Sequence, residues 1–173
     1  MTGTEIQHYV ETRMGIEVDS DEVLMAINEA IDMLGDTGLL YDTIDVEVTD
    51  AGQWYNLPDD FTYVQKVYTG RGEIYIAWEY RNGQIRFRNP GSYTIVARKM
   101  GKHLENISDS ITDMHRLYYN AIKFYALAWM KENDDDNDVA AEKYYNRFYE
   151  TAQQAVQTLM RSKAPMSWKI LRR

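Results

Sequence analysis

The hydrophobic pattern of this chain changes period twice, which restricts it to one order of elements: helices, then strands, then helices. Ile6, Tyr9, Val10 and Met14 recur at helical spacing and predict a first helix over 3–14. Asp19 fits an N-cap with Glu22 at the capping-box spacing, and Val18 with Val23 fits a hydrophobic staple. Val23, Ile27, Ile31 and Leu34 carry a second helix to a stop at Gly35 or Gly38. The period then drops to two: Ile44, Val46 and Val48 alternate with Asp45 and Glu47. A short strand over 54–57 is closed by Pro58, a strand over 63–69 follows, and Gly70-Arg71-Gly72 leads into another over 73–80.

Asn82-Gly83 is the strongest short hairpin signal in the chain, because a type I′ turn needs positive φ at both central positions. It sets Arg81 against Gln84, Tyr80 against Ile85, Glu79 against Arg86 and Trp78 against Phe87. A second turn at Asn89-Pro90-Gly91 is expected to set Phe87 against Tyr93 and Ile85 against Ile95, giving one continuous meander. Beyond it, Ser108 or Ser110 can cap a third helix striped by Ile111, Met114, Tyr118, Ile122, Tyr125 and Trp129. A second stripe, Leu117, Ala121, Phe124 and Ala128, means that this helix has more than one partner. A fourth helix runs to about residue 163 on Ala141, Tyr144, Phe148, Ala152, Ala155 and Leu159, and Pro165 ends it.

The expected fold class is therefore α+β: a helical bundle of about four helices with an inserted antiparallel β-meander between the second and third. At 173 residues one domain is expected, with N-terminal helices over 1–38, a β-region over 42–100, a C-terminal helix pair over 108–163 and a tail over 164–173. Without cysteine there are no disulfides, thiolate nucleophiles or Cys-ligated metals. No apolar run nears the ~20 residues of a membrane helix, and Met1-Thr2-Gly3-Thr4-Glu5 lacks the start of a signal peptide, so a cytosolic product is expected.

Net charge is −8 but is distributed in blocks. Residues 1–62 hold 15 acids and one base, Arg13, whereas 63–103 hold eight bases and two acids. Residues 104–160 sum to −5 and the last thirteen to +5, so complementary surfaces within or between copies are expected.

Catalytic spacing is scarce. His8, His103 and His115 form no metal-ligand pair, and Asp113 and His115, two apart on a helix, point to different faces. Ser92 and Ser110 as nucleophiles would rest on residue type alone, and Gly70-x-Gly72 lacks the third glycine of a dinucleotide fingerprint. Asp134, Asp136 and Asp138 have EF-hand spacing, but Val139 and Tyr145 occupy the glycine and bidentate-Glu positions. No enzyme, cofactor or metal is expected.

Twenty-two aromatics, fourteen of them tyrosine, exceed what one small core can line with every hydroxyl paired, so Tyr119, Tyr145 and Tyr149 are candidates for a subunit interface. Arg86 and Arg88 share one face of a strand and join them; alternatively, these arginines belong to a small nucleic-acid- or ligand-binding module. The tail carries Met166, Trp168, Ile170 and Leu171 beside Lys169, Arg172 and Arg173, an apolar and basic composition suited to docking on a partner.

Trp54-Tyr55-x-Leu57-Pro58-Asp59-Asp60-Phe61-x-x-Val64-x-x-Val67 resembles the segment that opens the β-region of the head-to-tail connector (adaptor) proteins of tailed bacteriophages. The likeness is closest to the tail tubular A and gatekeeper-like neck adaptors. Tyr93-x-Ile95-x-Ala97-Arg98 before the helical return resembles the same family, and the element order extends the likeness over nearly the whole chain. The resemblance implies a non-enzymatic virion protein of the capsid–tail neck, assembled from the host cytoplasm as a homo-oligomeric ring, commonly of twelve copies. It implies three partners: further copies of the chain, the phage portal protein on which the tail segment docks, and a downstream tail or neck protein. DNA would pass through an acidic lumen without specific binding, and no membrane is involved.

Overall fold

In the computed structural model, residues 1–74, 77–112, 114–133 and 138–161 are described. Two helices, α1 (Gly3–Met14) and α2 (Ser20–Asp36), precede seven strands, and α3 (Tyr119–Asn133) and α4 (Asp138–Arg161) follow them. The strands are β1 (Tyr41–Val48), β2 (Trp54–Asn56), β3 (Phe61–Thr69), β4 (Gly72–Ile74), β5 (Trp78–Arg81), β6 (Gln84–Phe87) and β7 (Gly91–Lys99).

The capping box forms on α1, where Thr2 and Glu5 bond each other's main-chain N–H groups. At α2 the Asp19 carboxylate accepts from the N–H groups of Asp21 and Glu22. Val23, Ala26, Ile27, Ala30, Ile31 and Leu34 give α2 one fully buried stripe, as its periodicity requires.

The β-region is not a single meander inserted in a helical bundle. The strands form two antiparallel sheets, one in the order β1-β7-β3-β4 and one in the order β2-β6-β5. The Asn82-Gly83 hairpin has the expected register, Arg81 to Gln84 through Trp78 to Phe87, with φ of +49° and +75° in its turn. The meander breaks at the next turn. Pro90 has no N–H to continue a ladder and Gly91 turns at φ +149°, so β7 leaves β6 and pairs instead with β1 and β3. Tyr93 therefore lies beside Val46, and Ile95 lies between Ile44 and Val67. Phe87 and Tyr93 still meet, stacked face to face between the sheets with ring centroids 4.1 Å apart. The strand expected over 73–80 is likewise divided between the sheets, its first part in β4 and its last in β5.

The four-stranded sheet has a core on each side. Tyr41, Tyr68 and Val96 face the helices and join Ile6, Val10, Ile27, Ile31, Tyr118, Ile122 and Phe148. Val48, Val64, Val67, Tyr93, Ile95 and Ala97 face the small sheet, where Ile85 and Phe87 complete a second core. The chain is thus layered: helices, a four-stranded sheet, then a three-stranded sheet.

The third helix starts later than expected. Ile111 and Met114 are buried, but in irregular chain, and a 3-10 turn (Arg116–Tyr118) capped by His115 precedes α3. The reason is competition for main-chain groups. The Asp109 carboxylate holds the N–H groups of Glu105 and Asn106, its carbonyl accepts from Gly3, and the Ile111 N–H donates to the Met1 carbonyl. Asn28 of α2 also grips both main-chain groups of Leu104. Groups engaged this way cannot enter a helical ladder. Gly3 belongs to the same clamp, since a Cβ there would lie 2.5 Å from the Ile107 carbonyl oxygen.

Gly83→Val should lower stability by more than about 1 kcal/mol, because a β-branched residue strongly disfavours positive φ. Thermal melting checks this, and an unchanged melting temperature would contradict the turn assignment.

Candidate functional site

Two cation-bearing surfaces stand out, one on the small sheet and one among the helices. On the small sheet, Arg86 pairs with Glu79 across the hairpin, and its guanidinium lies 4.8 Å from the Trp54 ring centre. Arg86 and Arg88 line one open depression of about 360 Å³ with Ala51, Gly52, Glu79 and Phe87. The two arginines predicted to share a face are therefore brought together, but Glu79 offsets one charge and the Trp54 face is covered. Phe87, Ile85 and Tyr93 are buried in the sandwich core and offer no ring for stacking on a base.

The second surface lies where α1, α3 and α4 meet. Tyr9 and Arg13 sit one turn apart on α1, Lys123 and Phe124 are neighbours on α3, and Tyr144 and Arg147 lie three apart on α4. Together with Asn120 they line a notch of about 280 Å³. Arg13 and Lys123 lie over the Tyr9 ring at 5.6 and 5.5 Å, and Arg147 lies 5.8 Å from both Phe124 and Tyr144. No carboxylate lines the notch, and none pairs with these three cations among the described residues. Burial raises the Tyr9 hydroxyl pKa above the usual tyrosine range, against the pull of Arg13. Single-helix stripes did not reveal this surface, because each helix supplies only one aromatic–cation pair. The legible signal was an aromatic and a cation at one-turn spacing on α1 and α4 and side by side on α3.

The three tyrosines predicted at an interface are half-buried in the helical layer. Tyr119 donates to the Ile111 carbonyl and Tyr145 to the Glu132 carboxylate, while Tyr149 lies edge-on to Phe148. Many of the tyrosine hydroxyls are paired within the chain. Tyr55, Tyr68, Tyr80 and Tyr93 each donate to a main-chain carbonyl in a loop, strand or helix end, and Tyr118 accepts from the N–H of Tyr41. These hydroxyls pin loops, an irregular point of β3, the start of β1 and the end of α4 to the two cores.

The catalytic candidates also have structural partners. The Ser92 hydroxyl donates to Glu47, His115 Nδ1 accepts from the Leu117 N–H, and His103 pairs with Asp32 on the surface. Ser110 forms an isolated bridge with Thr2. Asp138 opens α4. Asp113, Asp134 and Asp136 lie outside the described residues, as do all the tail candidates: Met166, Trp168, Lys169, Ile170, Leu171, Arg172 and Arg173. No group of three metal-ligating side chains occurs among the described residues. No protein-family model matches the chain, and neither does any curated protein.

Burial is the main cause that raises the Tyr118, Tyr125 and Tyr145 hydroxyls above the ordinary tyrosine range, and the carboxylates of Glu29 and Glu132 add to it for the last two. The fold thus retains protons that the unfolded chain releases above about pH 10. Their contribution is fully present below that pH and is lost progressively as pH rises from there toward the higher values these hydroxyls have in the fold. Denaturant titrations from pH 8 upward should show stability falling beyond about pH 10, and a flat profile would contradict burial of these hydroxyls.

Proposed function

We propose that this chain is a structural, non-enzymatic subunit of a phage head-to-tail connector ring, seated between portal and tail, through which DNA passes without specific binding. The observation that carries the reading is the placement of the connector-like segment. Residues 54–67 run from β2 in the small sheet to β3 in the large one and so tie the two sheets together. Leu57, Phe61, Val64 and Val67 are all buried in the sandwich core. The Phe61 N–H donates to the Pro58 carbonyl, and the Asp60 carbonyl accepts from the Met100 N–H. The Asp60 carboxylate lies 3.2 Å from the buried Lys99 ammonium. Six residues of the pattern, Leu57, Pro58, Asp60, Phe61, Val64 and Val67, thus have a part in one crossover, which supports family likeness over chance recurrence of a short motif.

Charge supports the same reading. A net charge of −8 opposes counterion-releasing contacts with duplex DNA, and Arg86 of the basic β-region is already paired with Glu79. The tail over 164–173 is the proposed portal-docking segment, with Trp168 and Ile170 as apolar anchors and Lys169, Arg172 and Arg173 meeting an acidic rim.

Deleting residues 164–173 should leave helical content and melting temperature nearly unchanged while abolishing attachment to portal-bearing capsids. The assay is co-sedimentation with purified capsids. Attachment of the truncated chain would remove the tail's docking role, and failure of the full chain to attach would overturn the connector reading.

A further inference from the structure

The notch at the α1, α3 and α4 junction presents three cations and no acid, in a chain with an excess of acids. Its aromatic rings already have cations over them, so a planar ligand has no open ring face to stack on. What remains is three N–H-bearing cations beside aromatic rings, the chemistry for a carboxylate-bearing surface.

The exposed side of α2 has that chemistry. Its outward positions Glu22, Met25, Glu29, Asp32 and Asp36 recur at spacings of three, four, three and four, a single stripe opposite the buried one. The stripe holds four acids around Met25, whose side chain is large, apolar and 62% exposed. Asp36, together with Asp32, which already pairs with His103 at 2.7 Å, can meet the guanidiniums of Arg13 and Arg147, and Met25 can pack against their aliphatic stems. The stripe lies on α2 and the notch on the other three helices, so one copy can offer both surfaces at once.

We propose that the notch receives the acidic α2 stripe of a second copy of this chain, in a head-to-tail contact that repeats from subunit to subunit. Such a contact joins different patches on its two sides, so it closes into a ring when the rotation permits. The proposal rests on the ring reading above and names the surfaces that would make it.

The test is a charge swap read by sedimentation velocity at low ionic strength. Lys123→Glu with Arg147→Glu reverses the notch. Asp32→Lys with Asp36→Lys reverses the C-terminal half of the stripe, the half proposed to meet the notch, at exposed sites, the second in a last helical turn where a cation is favoured. Wild type should self-associate, more weakly as salt is added, and each double variant should lose at least about tenfold in association. Mixed in equal amounts, the two variants should co-assemble in alternation to the size of the wild-type assembly, because both mixed junctions have complementary charges whereas each variant alone presents like charges. Melting temperatures verify folding, and Arg147→Ala, which should also weaken association, serves if the notch double variant fails to fold. Variants that assemble as wild type does, a mixture that does not pair, or a wild type that stays monomeric would each overturn the contact. Duplex DNA binding that is lost in the notch variant would also overturn it, by making the occupant a phosphate backbone. Assembly and capsid attachment that survive both reversals would leave the ring reading standing and remove only this contact.

Discussion

Strand β7 has no solvent face over its middle: Ile95 and Ala97 lie in the sandwich core, Val96 lies in the helical core, and β1 and β3 pair with it on either side. Each large aliphatic side chain buried there contributes about 2 kcal/mol, whereas the half-exposed Lys66–Glu73 pair at the sheet's edge contributes at most about 1. Both layers therefore pack on a sheet whose central strand is buried on both faces, with Tyr41 and Val48 of β1 and Val64, Val67 and Tyr68 of β3 adding to the two cores. Lys99 at its end is only 8% exposed, lies over the Phe61 ring and faces Asp60 at 3.2 Å and Asp42 at 4.0 Å. A charge so buried is tolerated because carboxylates surround it, and that requirement fixes the crossover between the sheets against the strand.

How much of this was legible depended on the range of the interaction. Local devices were readable: the Asp19 cap, the α2 stripe and the Asn82-Gly83 register depend on residues a few positions apart. Partner choice across the β-region was not. Alternation in β7 marks two faces, but an alternating strand beside β6 and one between β1 and β3 have the same pattern. The apolar pairing of Phe87 with Tyr93 was correctly sensed and wrongly placed, because stacked rings satisfy the same hydrophobic demand across two sheets as along one. Ile111 and Met114 were likewise identified as core, yet the main chain at Asp109, Ser110 and Ile111 is engaged by the first residues of the protein, a contact more than one hundred positions distant.

The surfaces follow the same rule. Arg86 and Arg88 were predicted together and lie together, because strand periodicity places them. The notch needed three helices to be assembled before its cations could be seen as one feature. Tyrosine abundance, read as an excess for partners, is largely used within the chain, where hydroxyls hold loop carbonyls that no regular ladder reaches. Charge is instead kept apart: acidic along the outer side of α2, and cationic in a notch with no carboxylate partner among the described residues.

The coupling of both layers through β7 is tested most directly by native-state hydrogen exchange. If the strand is the shared wall, the amides of Ile95, Val96 and Ala97 exchange only through global unfolding, with the same opening free energy as the central amides of α3. β7 amides that exchange through a lower-energy opening while α3 stays protected would show that the sandwich core opens on its own, and would contradict the account.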